Sequence, residues 1–154
     1  MKAALLLLFI LAFSISVAGS ITLDLPTLQK YIDTYNGRID KAPDVLKSLL
    51  GNEKINVDII KNNGSVYRVG LDVQKARVNR TVEGGLKDPS IVITSTESAI
   101  NAVRFSKDPI VAFQNQTDLG QISIQGNNIL ASAKVEALLS SAGVLKFFSG
   151  IFFG

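Results

Sequence analysis

From Ile55 to Glu83 apolar and polar residues alternate, the period of strands with one face in water. Ile55, Val57 and Ile59 are apolar around Asn56 and Asp58. Tyr67, Val69, Leu71 and Val73 then alternate with Arg68, Gly70 and Asp72. Lys61-Asn62-Asn63-Gly64 between them predicts a tight reversal, because Asn and Gly tolerate positive φ. A third strand is predicted over Lys75 to Glu83, with Ala76, Val78, Arg80 and Val82 on one side and Lys75, Arg77, Asn79 and Thr81 on the other. Together these make an antiparallel meander with one charged and one mostly apolar face.

Helical periods flank the meander. Leu25, Leu28, Ile32 and Tyr35 share one face of a helix predicted over Thr22 to Tyr35, with Asp24 as its cap and Pro26 in its first turn. A shorter helix is predicted from Pro43 to Leu50, stopped by Gly51. Beyond Gly84-Gly85 the continuous run Ile91-Val92-Ile93 predicts a central strand buried on both sides. Thr94 and Glu97, three apart, form a predicted capping box for a helix carrying Ala99, Ile100 and Val103. Asp108-Pro109 opens another helix, Gly120 to Gly126 encloses an alternating strand, and Asn127 or Asn128 caps a helix running to about Ala142. On a helical wheel that last helix is apolar on two sides. Ala131, Val135, Leu138, Leu139 and Ala142 make one stripe, and Ile129, Leu130, Ala133 and Ala137 the other. One stripe covers a sheet; the other needs a partner.

The ends of the chain are the least polar parts. Residues 1–20 carry Lys2 followed by an apolar run to Phe13 and small residues Ser16, Ala18, Gly19 and Ser20. This is the layout of a secretory signal or, uncleaved, of an N-terminal anchor. The tail 143–154 holds four of the six phenylalanines outside that segment and is too short to span a bilayer. It is expected to be a lid, part of the core or an interfacial anchor, since in water it would expose an apolar patch. The main domain is thus 21–142.

Composition narrows the chemistry. The chain has 154 residues and no His or Cys, which removes the usual general base, the thiol nucleophile and any disulfide. Of 16 basic residues Lys2 belongs to the N-terminal segment, leaving 15 against 13 acidic, too near neutral for a nucleic-acid binder. Arg68, Lys75, Arg77 and Arg80 form a basic concentration on the meander without interleaved aromatic residues to stack bases. Asp33, Asp40 and Asp44 lie on polar helix sides and do not predict a metal site. No catalytic residue, no metal site, no cofactor and no nucleic-acid partner is therefore expected. Sequons at Asn63, Asn79 and Asn115 offer N-glycosylation sites in an exported chain.

The order of patterns resembles the sterol carrier protein 2 family. The likeness is carried by Asp88-Pro89-Ser90-Ile91-Val92-Ile93-Thr94, the helix with Ala99, Ile100 and Val103, then Gly120-Gln121-Ile122-Ser123-Ile124-Gln125-Gly126-Asn127 and the Ala- and Leu-rich helix after it. With the meander it spans about Thr22 to Ala142. The resemblance implies an α+β fold, a mainly antiparallel five-stranded sheet with helices on one face, and a lipid held between sheet and helices without chemical change. The lining it implies is Ile100, Val103, Phe105, Phe113, Ile122, Ile124, Leu130, Ala133, Ala137 and Leu138, with Phe147, Phe148 and Phe152 as a lid. Its partners would be a lipid or other apolar small molecule and a membrane surface, in a secreted or cell-surface protein. The alternative is a membrane-tethered structural or interaction module at the cell surface, without ligand.

Overall fold

The computed structural model describes residues 24–152, apart from the side chains of Ser149, Ile151 and Phe152. The expected signal or anchor at 1–20 lies outside the described residues, as do Phe153 and Gly154. Helix α1 (Leu25–Arg38) begins where Asp24 Oδ1 accepts the Thr27 N–H at 2.7 Å, with Pro26 in the first turn, and buries Leu28, Ile32 and Tyr35. It extends three residues past the predicted end. A 3₁₀ turn (Ile39–Lys41) leads to α2 (Asp44–Leu50), which stops at Gly51.

Five strands follow in one sheet: β1 (Glu53–Ile60), β2 (Val66–Gln74), β3 (Arg77–Glu83), β4 (Ile91–Thr96) and β5 (Ile122–Gly126). Their spatial order is β3-β2-β1-β4-β5, antiparallel except for the parallel pair β1 and β4. Helices α3 (Glu97–Arg104) and α4 (Pro109–Asp118) separate β4 from β5, and α5 (Ile129–Ser140) and α6 (Ala142–Phe152) close the chain. The α+β architecture implied by the sequence is present. The apolar side chains of β1, β2 and β4 that point toward the helices form one core with theirs.

Four local expectations change. The β2–β3 connection is a two-residue turn in which Lys75 and Ala76 both take positive φ, 50° and 61°. It is held by Asn52 Oδ1 accepting from Lys75 N and by Ala76 N donating to Gly51 O. Neither residue is a Gly or Asn, so turn chemistry alone does not announce it. In β3 the register slips at Asn79: Val78 faces Val73 while Arg80 faces Asp72. The extra residue exchanges the two faces beyond it, so Thr81, not Arg80 or Val82, shares the Val78 side. β4 alternates, with Ile91, Ile93 and Ser95 buried and Val92 and Thr94 half-buried, rather than being buried on both sides. The strand also runs two residues further, so the cap of α3 is Thr96, whose hydroxyl accepts from Ala99 N, and not Thr94. Glu97 instead accepts from the Asn62 N–H.

The path from β3 to β4 must cross β2 and β1, and it does so on the face away from the helices. Leu86 is pinned there by Asn56, whose side-chain amide donates to Leu86 O and accepts from Leu86 N. Gly70 makes room beneath it: a Cβ at that position would lie 2.6 Å from Leu86 N.

Candidate functional site

The residues expected to line one pocket fall into two groups. Ile100 and Val103 of α3, Phe113 of α4, Ile122 of β5, Leu138 of α5 and Phe148 of α6 are buried in the interior between sheet and helices. Ile124 and Phe147 are half-buried at its rim. Phe105 and Leu130, by contrast, are 72% and 67% exposed, and Ala133 and Ala137 lie on the outer side of α5. These four do not face the interior.

The physical reasons are local. α3 ends at Arg104, which leaves Phe105 in the following turn with the Arg104 guanidinium resting on its ring, 4.8 Å from the centroid. On α5 the wheel separates two apolar stripes, and a polar contact selects between them. Lys134 Nζ donates to the buried Glu53 carboxylate at 2.5 Å. The other Glu53 oxygen accepts from Ser90 Oγ. This clamp turns Ala131, Val135, Leu138 and Leu139 inward and Ile129 and Leu130 to solvent.

The apolar tail is helix α6, and three of its side chains occupy the interior. Val144 and Phe148 are fully buried and Leu145 is 7% exposed. The Phe148 ring stacks on Tyr35 with centroids 6.1 Å apart and meets Phe147 edge-on at 5.5 Å. The Tyr35 hydroxyl donates to Ala76 O at 2.6 Å, and burial pushes its pKa far above the ordinary tyrosine value. Phe152, expected in the lid, lies in α6 with its side chain outside the described residues. Around this interior lie surface clefts. One, of about 450 Å³, runs between β5 and α5 along Ile124, Gly126, Ser132, Val135 and Leu139. Another, about 620 Å³, is bordered by polar groups including Asn52, Lys54, Asp72 and Asp88.

The arginines of the meander are paired with carboxylates. Arg68 holds Asp58 through Nε at 2.6 Å, and these contacts raise the guanidinium pKa further. Arg77 holds Asp40 at 2.7 Å, and Arg80 approaches Asp72 at 3.7 Å. The basic concentration read from the sequence is therefore largely neutralised by carboxylates. Asp33 accepts from Gln29 and Asp44 pairs with Lys47. Among the described residues no group of three or more acidic side chains could hold a metal ion, and no helix is long and apolar enough to cross a membrane. The sequon residues Asn63, Asn79 and Asn115 are all exposed, in a turn, at the β3 bulge and on α4.

Comparison with known proteins finds likeness in structure only. No family model and no curated protein sequence matches the chain. Among solved structures it is similar to a conserved hypothetical protein of Thermus thermophilus described as a candidate sterol carrier protein. The identity is 12%, the TM-score 0.55, and the match covers 90% of this chain and 94% of that one. The sterol carrier protein domain 2 of Helicoverpa armigera matches at 15% identity and TM-score 0.47, over 80% of this chain and 92% of its own. Sterol carrier protein 2 of Yarrowia lipolytica, in its apo form, matches at 16% identity and TM-score 0.42, over 75% and 99%. The fold is thus similar to that of sterol carrier protein 2 domains, as the order of patterns implied.

Proposed function

We propose that this chain binds a lipid or other long apolar molecule between sheet and helices without changing it chemically, and that α6 leaves its seat to admit it. The observation behind this reading is the seat itself. Helix α6, joined to α5 through one residue, buries Val144, Leu145 and Phe148 in the core of an SCP2-like fold, packed on α1 and α5. Ile100, Val103, Phe113, Ile122 and Leu138 belong to the same buried core and would meet a ligand that enters it, with Phe147, Phe148 and Phe152 carried on the lid. Phe105, Leu130, Ala133 and Ala137 lie outside that core.

Magnitudes set a condition on the ligand. Undocking α6 returns three large apolar side chains to water at about 2 kcal/mol each, whereas each buried methylene of a ligand contributes about 0.8 kcal/mol. A chain of fewer than about 8 buried methylenes cannot offset the helix. Longer chains can. Titration with a fluorescent fatty acid of about 16 carbons is expected to saturate, and a fatty acid of about 8 carbons is expected not to displace it. Native mass spectrometry of the purified chain is expected to show a lipid of matching length. No bound lipid together with no saturable uptake of the long probe would end this reading.

A further inference from the structure

We propose that Arg38 is the latch of α6 and Ser141 its hinge, so that the Arg38 contact sets how often the interior opens. This rests on the reading that a ligand displaces α6. Between α5 and α6 a single residue, Ser141, leaves helical geometry, at φ −85° and ψ 110°. It serves both helices. Its N–H donates to Leu138 O at the end of α5, its carbonyl accepts from Leu145 N, and its hydroxyl accepts from Val144 N at 3.3 Å. Rotation about one extended residue swings α6 as a unit, because the caps on either side stay with their own helices.

At the other end of α6 the Arg38 Nη1 donates to Gly150 O at 3.0 Å. The last carbonyls of a helix have no partner within it, and they carry the negative end of its dipole. A guanidinium there is favourable twice over. Arg38 stands in the last turn of α1, the same helix that supplies Tyr35 as the floor under Phe148. One helix therefore holds α6 by an apolar stack in the interior and by an exposed charged contact at the rim. The rim contact breaks with little desolvation change, which suits a latch; the Phe148 seat does not.

Hydrogen exchange and stopped-flow uptake of a fluorescent fatty acid of about 16 carbons, on the full chain and on Arg38→Met, test this. Arg38→Met keeps most of the side-chain stem and removes charge and donors. Exchange of the α6 amides is expected to rise about 5-fold with β1 and β2 unchanged, and probe association is expected to rise by the same factor. Arg38→Lys is expected to recover most of both. Wild-type exchange in α6, or a rise shared equally by β1 and β2, would overturn the latch. Faster exchange confined to α6, with no probe bound by either protein, would uphold the latch and count against the lipid reading instead.

Discussion

The two faces of the sheet carry the same strands but are closed by different means. Toward the helices, Ile55, Val57, Ile59, Val69, Leu71, Ile91 and Ile93 are buried almost completely against side chains of several helices. On the opposite face the alternate positions are Lys54, Asn56, Asp58, Arg68 and Gly70, covered in part by the strap through Leu86 and tied by the Asn56 amide and the Asp58–Arg68 pair. The helical face is stabilised by removal of apolar surface from water, which is strong and tolerant of direction. The strap face depends on a few directed bonds and on the absence of one methyl group. Strength and tolerance thus sit on one side, and specificity of chain path on the other.

Leu71→Ala tests the strong side. Truncating a fully buried leucine between β1, β3 and the helices is expected to cost about 3 kcal/mol, read as a lower urea midpoint with an unchanged slope. Gly70→Ala, the neighbouring residue on the opposite face, tests the other. The added Cβ meets the Leu86 backbone N at 2.6 Å and cannot be absorbed by a flexible side-chain end alone, so a cost of about 2 kcal/mol is expected. Amide exchange should rise over residues 84–89 well beyond any rise in β1. If Gly70→Ala proves neutral in the same urea titration, the strap is loosely held and the contrast between the faces fails.

Those adjacent residues also show what was legible beforehand. Alternation assigned Leu71 to the core and Gly70 to the other face correctly, because one buried face fixes register across β1 and β2. It failed at Asn79, where a bulge reverses the faces, and at Lys75-Ala76, where tertiary bonds from Gly51 and Asn52 enforce left-handed backbone on residues that do not favour it. The candidate site divided along the same line. Ile100 and Val103 followed from helical period and are buried. Leu130, Ala133 and Ala137 belong to a helix with two apolar stripes, and the choice between stripes rests on Lys134 reaching Glu53, 81 residues away. No local pattern contains that contact. That the tail packs into the core, one of the three roles open to it, rests on its stack against Tyr35, which is equally remote in sequence.

The smallest expected effect lies at the start of α1, where the helical face acquires a polar contribution of its own. Asp24 accepts the Thr27 N–H, and this bond, the largest cause, together with the Thr27 side chain and the more distant Lys30 holds its carboxyl below the ordinary value of 3.8. A group whose pKa is lower in the folded chain than in the unfolded one adds stability above the unfolded value and loses it as pH falls through the folded one. The cap of α1 is therefore expected to be fully present at neutral pH and to weaken only below about pH 4. Asp24→Asn keeps a capping oxygen but removes the titration. Its unfolding midpoint should match wild type near pH 7 and show a shallower decline between about pH 4 and pH 2. Identical acid limbs for the two proteins would show that the α1 cap adds nothing pH-dependent to the helical face.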